Sequence, residues 1–493
     1  MGILALSSIL TALILCFLMA QFVRLQIRRK RFPPGPTPLP YIGNFWQLKF
    51  FRLSRELLTE EAKTYGNIFT LWFGTVPAVI LVGFQAVKDG LTTRPEDMVG
   101  RPQTPYFKAL ANNKGIFLTT AKTWKNQRRV SLMILRTLGL GKRSFEYQVQ
   151  EEACNLVEAF RNTKGKPMNP SYAITLAVAN VICSVVFGHR FSNDDKTFHG
   201  LLEAMECLFT FFGCFMHHFY ELFPWLLNHI PGRHQKALSS RDFVHSFIRR
   251  EIKKHLDSDV PDEPQDFIDF YLAQIDRTKS QPSPPYDEKN MVHCIFDLFL
   301  GGTETSSTTL HWALLYMVLY PDVQAKVQKE IDTVLAPGQM IYYEDRKNLP
   351  YTNAVIHEIQ RFSNIVAVGV PKCCVRDTTI REFFIEKGTI IFPILASALY
   401  DSSEWERPLN FNPSHFLDKD GNFTCRDAFI PFSLGHRTCV GDHLARTELF
   451  LFFSSLLQAF TFHLAEGSKD ITVEAVWGGT LQPHYFEICA TPR

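Results

Sequence analysis

The run FSLGHRTCVG, Phe432 to Gly441, limits the fold of this chain more tightly than any other stretch, because it sets one cysteine at the mouth of an apolar helix expected over Asp442 to Phe460. A thiolate at a helix start meets unpaired backbone N–H groups and the positive end of the helix dipole, so its pKa is expected to fall and the sulfur to stay ionised. A metal ligand needs that state. Gly435 and Gly441 permit tight turns on either side, Phe432 can cover the sulfur, and Arg437 can meet an anionic group of a bound cofactor.

The 493 residues are 46% hydrophobic and 20% charged, an ordinary globular balance with enough length for a large core. Two polar stretches, DSDVPDEPQD from Asp257 and TKSQPSPPYDE from Thr278, are short and lie between helical patterns, so residues 41–493 read as one catalytic unit. A net charge of +3, with no basic stripe interleaved with aromatics, excludes a strongly basic nucleic-acid binder. Eleven cysteines without paired spacing argue for reducing conditions.

Gly2 to Val23 carries no charged residue, and Arg24, Arg28, Arg29, Lys30 and Arg31 follow. That length spans a bilayer as one helix, and basic residues on its carboxyl side place the body in the cytosol. Residues 1–23 are therefore expected to be a single-pass endoplasmic reticulum anchor. Residues 24–40, ending in FPPGPTPLP, read as a basic, stiff, proline-rich hinge.

Helical periods dominate the remainder. Asn67 to Gly83 reads as a hairpin, helices fill most of Trp124 to Leu335 with Asp287 to Tyr320 the longest, and a short strand region follows a helix over Tyr351 to Phe362. An irregular polar stretch from Ser402 to Asp427 leads into the cysteine loop. Within the long helix GGTETSSTT, Gly301 to Thr309, interrupts an apolar run. Two glycines weaken a helix by roughly 1 kcal/mol each against alanine, and hydroxyls compete for its carbonyls, so a structural helix gains little from this set.

Written F-x-x-G-x-R-x-C-x-G, the cysteine loop resembles the haem-binding loop of the cytochrome P450 monooxygenases, and the order of elements resembles that fold over nearly the whole chain after the hinge. The resemblance is strongest to the vertebrate family 2 enzymes of the fatty-acid epoxygenase and drug-oxidising type. It implies a mainly α fold, a large helical body with a small β region behind a membrane anchor helix. It implies haem b with Cys439 as axial thiolate, Glu304 and Thr305 as an acid–alcohol pair for protons and dioxygen, and Phe432 over the sulfur. Gly301 stands where alanine is commoner.

The same resemblance assigns the haem propionates to Arg437, Arg101, Trp124 and Arg128, the last two in a W-x-x-x-R pattern that shares a helix face. Lys372 stands where relatives usually carry a histidine donor. Glu358 and Arg361 in HEIQR form the E-x-x-R pair, with a structural role beside His415. Phe107, Phe117, Phe296, Val370 and Thr480 fall in segments that line the substrate pocket of relatives. Phe209 to Phe223 could roof that pocket, dip into the membrane surface, or simply pack.

No G-x-G-x-x-G or P-loop is present, so electrons must arrive from a partner. The resemblance names NADPH–cytochrome P450 reductase, with cytochrome b5 as a second donor. Lys122, Lys125, Arg129, Arg136, Lys142 and Arg143 form the basic cluster where an acidic flavoprotein would dock. The expected reaction inserts one atom of dioxygen into a lipophilic fatty acid, drug or other xenobiotic. A haem-thiolate isomerase acting on peroxides and a non-enzymatic haem sensor are the alternatives.

Overall fold

The computed structural model describes residues 2–47, 54–139, 143–257, 263–465 and 471–493. They group into two compact units, the smaller from Met1–Pro102, Ala367–Glu404 and Ser433–Thr438, the larger from Gln103–Val366, Trp405–Phe432 and Cys439–Arg493. No linker announces this division, because both polar stretches fall inside the larger unit and the smaller one is assembled from segments far apart in sequence.

In the smaller unit the first helix, Gly2–Arg29, continues past Val23 into the basic residues. Eighteen consecutive residues within Leu6–Arg29 have a mean hydropathy of 2.2 and none of them is buried, as fits a membrane anchor. The proline-rich segment after it is tied down by hydrogen bonds: Arg29 donates to the Gly35 carbonyl (2.5 Å), Gln26 to the Pro38 carbonyl (3.2 Å) and the Thr70 N–H to the Pro34 carbonyl (2.8 Å). Leu25, Phe32 and Trp72 close a small core beneath it.

A four-stranded sheet follows. Ile68–Phe73 pairs antiparallel with Val76–Leu81, which lies parallel to Ile390–Pro393, and Lys372–Cys373 completes the order. Gly74 makes the expected hairpin turn at φ 64°. Ile68 to Trp72 are all buried, so the strand is covered on both faces and, apart from Thr70, apolar rather than alternating. Gly100 exchanges two 3.0 Å backbone bonds with Cys373, and a Cβ there would sit 2.4 Å from the Cys373 carbonyl oxygen. Only glycine allows that approach, which sets Arg101 beside the strand carrying Lys372.

The larger unit is helical. Its axis is the 32-residue helix Glu288–Leu319, started by the Asp287 carboxylate accepting from the Asn290 N–H (2.8 Å) and ended at Tyr320, where Pro321 follows. Ser171–Phe187 packs along it and is apolar around most of its circumference, as a doubly covered helix should be. Pro350–Ser363 and Asp442–Ala459 match the helices read from sequence. Two antiparallel strand pairs belong to it: Phe460–Leu464 with Ile488–Pro492, and the hairpin of Ala475–Trp477 with Leu481–Pro483.

The aromatic stretch divides between two roles. Lys196–Phe212 and Phe215–Leu222 meet at a 69° bend. Phe211 is core, whereas Phe215, Phe223 and the neighbouring Trp225 are exposed. Gly213 sits at the bend because a Cβ would lie 2.2 Å from the Trp477 carbonyl oxygen.

Candidate active site

Cys439 lies three residues before the helix Asp442–Ala459, in the larger unit. Its N–H donates to the Phe432 carbonyl (3.0 Å) and its Sγ accepts the Gly441 N–H (3.3 Å). The sulfur is reachable by solvent, yet protein encloses it closely enough that desolvation pushes the thiol pKa up. The Gly441 N–H and the charges of Arg128 and Arg446 oppose this rise, and the Asp442 carboxylate adds to it. The expected fall in pKa is therefore corrected: desolvation outweighs the Gly441 N–H, the one backbone donor that reaches the sulfur among the described residues. A coordinating metal ionises such a thiol directly.

Trp124 and Arg128 lie on the helix Ala121–Thr137, the tryptophan buried and the arginine half-buried, with the guanidinium close enough for its charge to act on Cys439. The ring of Phe432 faces Arg446, whose guanidinium carbon lies 4.8 Å from the ring centre. Arg446 also donates to His357 (3.2 Å), and burial pushes the pKa of that imidazole down to about 3. The resulting lone pair anchors the arginine.

On the long helix the polar residues mostly bond backwards. Thr305 Oγ1 donates to the Gly301 carbonyl (2.7 Å), Thr309 to that of Thr305 (2.8 Å) and Ser307 to that of Glu304 (3.1 Å). The two glycines serve different ends. A Cβ on Gly302 would lie 2.5 Å from Ile182, so that glycine admits the helix Ser171–Phe187. Gly301 is exposed, with nothing beyond its own turn of helix within 4 Å of where its Cβ would be, an opening beside Thr305 midway along the helix. Glu304 is buried and turned toward the C-terminal hairpin: its Oε1 accepts from Thr480 (3.0 Å) and meets the Gln482 amide (2.5 Å).

Glu358 and Arg361 form a bidentate ion pair, both contacts 2.7 Å and both side chains wholly buried. Arg361 continues to the carbonyls of Pro408 (2.9 Å) and Asn410 (3.2 Å), while Glu358 accepts the Asn412 N–H (2.8 Å) and faces His415 (3.1 Å). This network fastens the polar stretch that precedes the cysteine loop.

In the smaller unit Arg101, Lys372 and Arg437 are all buried. Arg101 donates to the carbonyls of Pro371 (2.8 Å) and Val370 (3.3 Å), Arg437 to that of Val99 (2.8 Å), and Lys372 to Ser433 Oγ (3.4 Å). Burial, and then the positive charges of Arg101 and Arg437, hold the Lys372 amine well below the usual lysine range. Gly435, at φ 75°, has its Cβ position 2.3 Å from the Leu91 carbonyl oxygen, so the loop needs glycine there.

The family model for cytochrome P450 matches residues 33–490 of this chain. The chain belongs to the cytochrome P450 family. It is 41% identical over 477 residues to cytochrome P450 2J2 of Homo sapiens, covering 97% of this chain and 94% of that one. It is also 41% identical to cytochrome P450 2C8 of Homo sapiens over 484 residues, 97% and 99% of the two chains. Cytochrome P450 2C23 of Rattus norvegicus matches at 41% over 466 residues, 94% of each. These relatives place it among the vertebrate family 2 P450s, monooxygenases that carry haem on a cysteine thiolate and depend on a redox partner, dioxygen and a substrate.

The residues of this P450 suit that cofactor. Two arginines and a lysine buried within reach of one another are costly without an anion, and haem brings two carboxylates. Cys439 offers a reachable sulfur under the influence of two arginines, and Gly301 leaves open space beside Thr305. Sequence reasoning missed Arg446, Gln482 and Glu448. Glu448 is wholly buried and takes a 2.6 Å bond from Ser306, and burial pushes its pKa up to about 8. Its one sequence signal is an acid inside the apolar run ELFLFF.

Proposed function

We propose that this P450 is a microsomal monooxygenase for lipophilic fatty acids, drugs or other xenobiotics, with Cys439 as the ligand to haem iron. The observation that carries the reading is the reachable, arginine-flanked sulfur of Cys439 in a chain matched almost end to end by the P450 family model. Haem held by a thiolate supplies the reductive activation of dioxygen, one atom going to a C–H or C=C bond and the other to water.

The chain's own residues do the rest. In the larger unit Cys439 would donate charge to the iron, Trp124 and Arg128 would serve a propionate, and Phe432 would shield the sulfur. In the smaller unit Arg101, Lys372 and Arg437 would offer buried cations to propionates, with Lys372 in the place of the histidine of relatives. The Lys372 amine, held below the usual lysine range by burial and then by two guanidiniums, would hold its proton more firmly beside a carboxylate. Thr305 must turn its hydroxyl from the Gly301 carbonyl to serve dioxygen. Glu304 supplies protons. Phe107, Phe117, Phe296 and Thr480, all of the larger unit, line the substrate pocket, where a lipophilic substrate is held largely by burial of apolar surface.

Electrons come from NADPH–cytochrome P450 reductase, with cytochrome b5 as a second donor. Lys122, Lys125, Arg129 and Arg136 are exposed, and their spacing puts them in one stripe along the helix Ala121–Thr137, a face suited to an acidic flavoprotein. Lys142 lies outside the described residues, and of Arg143 only the helical backbone is described. The anchor helix holds the enzyme in the endoplasmic reticulum membrane with its body in the cytosol.

The test is Cys439→Ser in microsomes containing reductase. The reading predicts loss of the thiolate-type absorbance of the reduced, carbon-monoxide-treated protein together with loss of NADPH-dependent product. A thiolate-type band that survives the substitution refutes the assignment.

A further inference from the structure

Glu304, the expected proton donor, rests on the C-terminal hairpin, and the hairpin is built to hold it there. Leu481 is fixed through both backbone groups: its N–H donates to the Ile365 carbonyl (2.8 Å), and its carbonyl accepts from Trp312 Nε1 (2.8 Å). Side chains alternate along an extended strand, so Thr480 and Gln482, flanking Leu481, project together to the other side. Both end on Glu304 Oε1, at 3.0 Å and 2.5 Å. Gly479 donates to the Phe209 carbonyl (2.8 Å), which ties the hairpin turn to the helix Lys196–Phe212.

We propose that Gln482 is a positioning residue for proton delivery, a clasp that holds the Glu304 carboxyl in either of its two charge states. The proposal rests on the monooxygenase reading above. A primary amide offers a carbonyl acceptor and an NH2 donor in one group, and its orientation follows its partner. In the structure Gln482 Nε2 donates to Glu304 Oε1 (2.5 Å), the arrangement that suits the carboxylate; facing a protonated Glu304 the amide turns over and accepts the acid's O–H. Once Glu304 has given its proton and become a carboxylate, the same amide turns to donate, as Thr480 does throughout. The acid then regains a proton from water. A leucine in that place would serve neither state.

The surroundings support a neutral resting acid. Burial raises the pKa of Glu304, the hydrogen bonds from Thr480, Gln482 and Thr308 oppose it, and the negative charge of Glu206, on Lys196–Phe212, adds to the rise. Thr305 and Ser307 direct their hydroxyls to backbone carbonyls instead.

The test compares haem-loaded wild type, Gln482→Leu and Thr480→Val. Infrared spectra of the resting proteins follow the C=O stretch of protonated Glu304, identified by its loss in Glu304→Gln. Product and peroxide formed per NADPH from lauric acid are then measured against pH. The clasp predicts a displaced band in Gln482→Leu, a smaller displacement of the other sign in Thr480→Val, and a roughly 3- to 10-fold rise in the peroxide-to-product ratio with a displaced pH midpoint. An unmoved band in Gln482→Leu overturns the proposal, and so does a changed ratio whose pH midpoint stays at the wild-type value. Failure of the wild type to form any NADPH-dependent product refutes the monooxygenase reading instead, because the infrared arm needs no turnover.

Discussion

Replacing Arg361 by lysine keeps the charge and removes the fork. The wholly buried guanidinium donates, among its bonds, two of 2.7 Å to Glu358, one of 2.9 Å to the Pro408 carbonyl and one of 3.2 Å to the Asn410 carbonyl. An ammonium at the end of a shorter reach satisfies Glu358 through one or two contacts and abandons both carbonyls. A lost charge-assisted bond is worth about 1.5–3 kcal/mol, whereas the Pro408 and Asn410 carbonyls, in half-buried and exposed residues, can turn to water. About 2–3 kcal/mol is the expected loss, less than removal of one partner of a buried pair because the positive charge stays. Against a total stability of about 5–15 kcal/mol this removes a large share of the folded-state margin. Urea unfolding of the haem-loaded protein, followed by haem absorbance, should show a much lower midpoint and loss of thiolate-type spectra well before the helical signal disappears. A midpoint shift equivalent to less than about 1 kcal/mol would show that the network is not what fastens the cysteine loop.

Glu448 predicts an alkaline weakness. Its folded pKa, about 8, lies above the ordinary carboxyl value, so the folded state binds the extra proton and stability falls as pH rises from the unfolded pKa toward the folded one. Glu448→Gln should therefore gain about 2 kcal/mol on the wild type between pH 6 and pH 8, measured by urea midpoints; a pH-independent difference contradicts a buried acid. Gly301→Ala should add about 1 kcal/mol of stability, since its Cβ enters open space, while Gly302→Val should lose about 1–3 kcal/mol against Ile182, a contrast that thermal unfolding reads directly. Reversing Lys125 and Arg129 to glutamate should slow reduction by reductase most at low salt and leave the thiolate spectrum intact. Equal slowing at all ionic strengths would speak against electrostatic docking.

The sequence by itself determined the elements whose cause is local. The uncharged run before Arg24, the apolar period from Asp287 to Tyr320 and the hairpin around Gly74 each follow from residues a few places apart, and the structure places them with small changes at their ends. The Cys439 loop was legible because its constraints mark single positions: Gly435 takes a positive φ, which asks for glycine whatever distant partner, here the Leu91 carbonyl, it meets. Tertiary structure alone decided what depends on residues meeting across the chain. It turned Glu304 onto Gln482, paired Ser306 with Glu448, and buried the Cys439 sulfur enough to reverse the expected pKa shift. Hydrogen bonding and desolvation act over a few ångströms of space, and a chain whose partners are more than a hundred residues apart does not record that distance in its order.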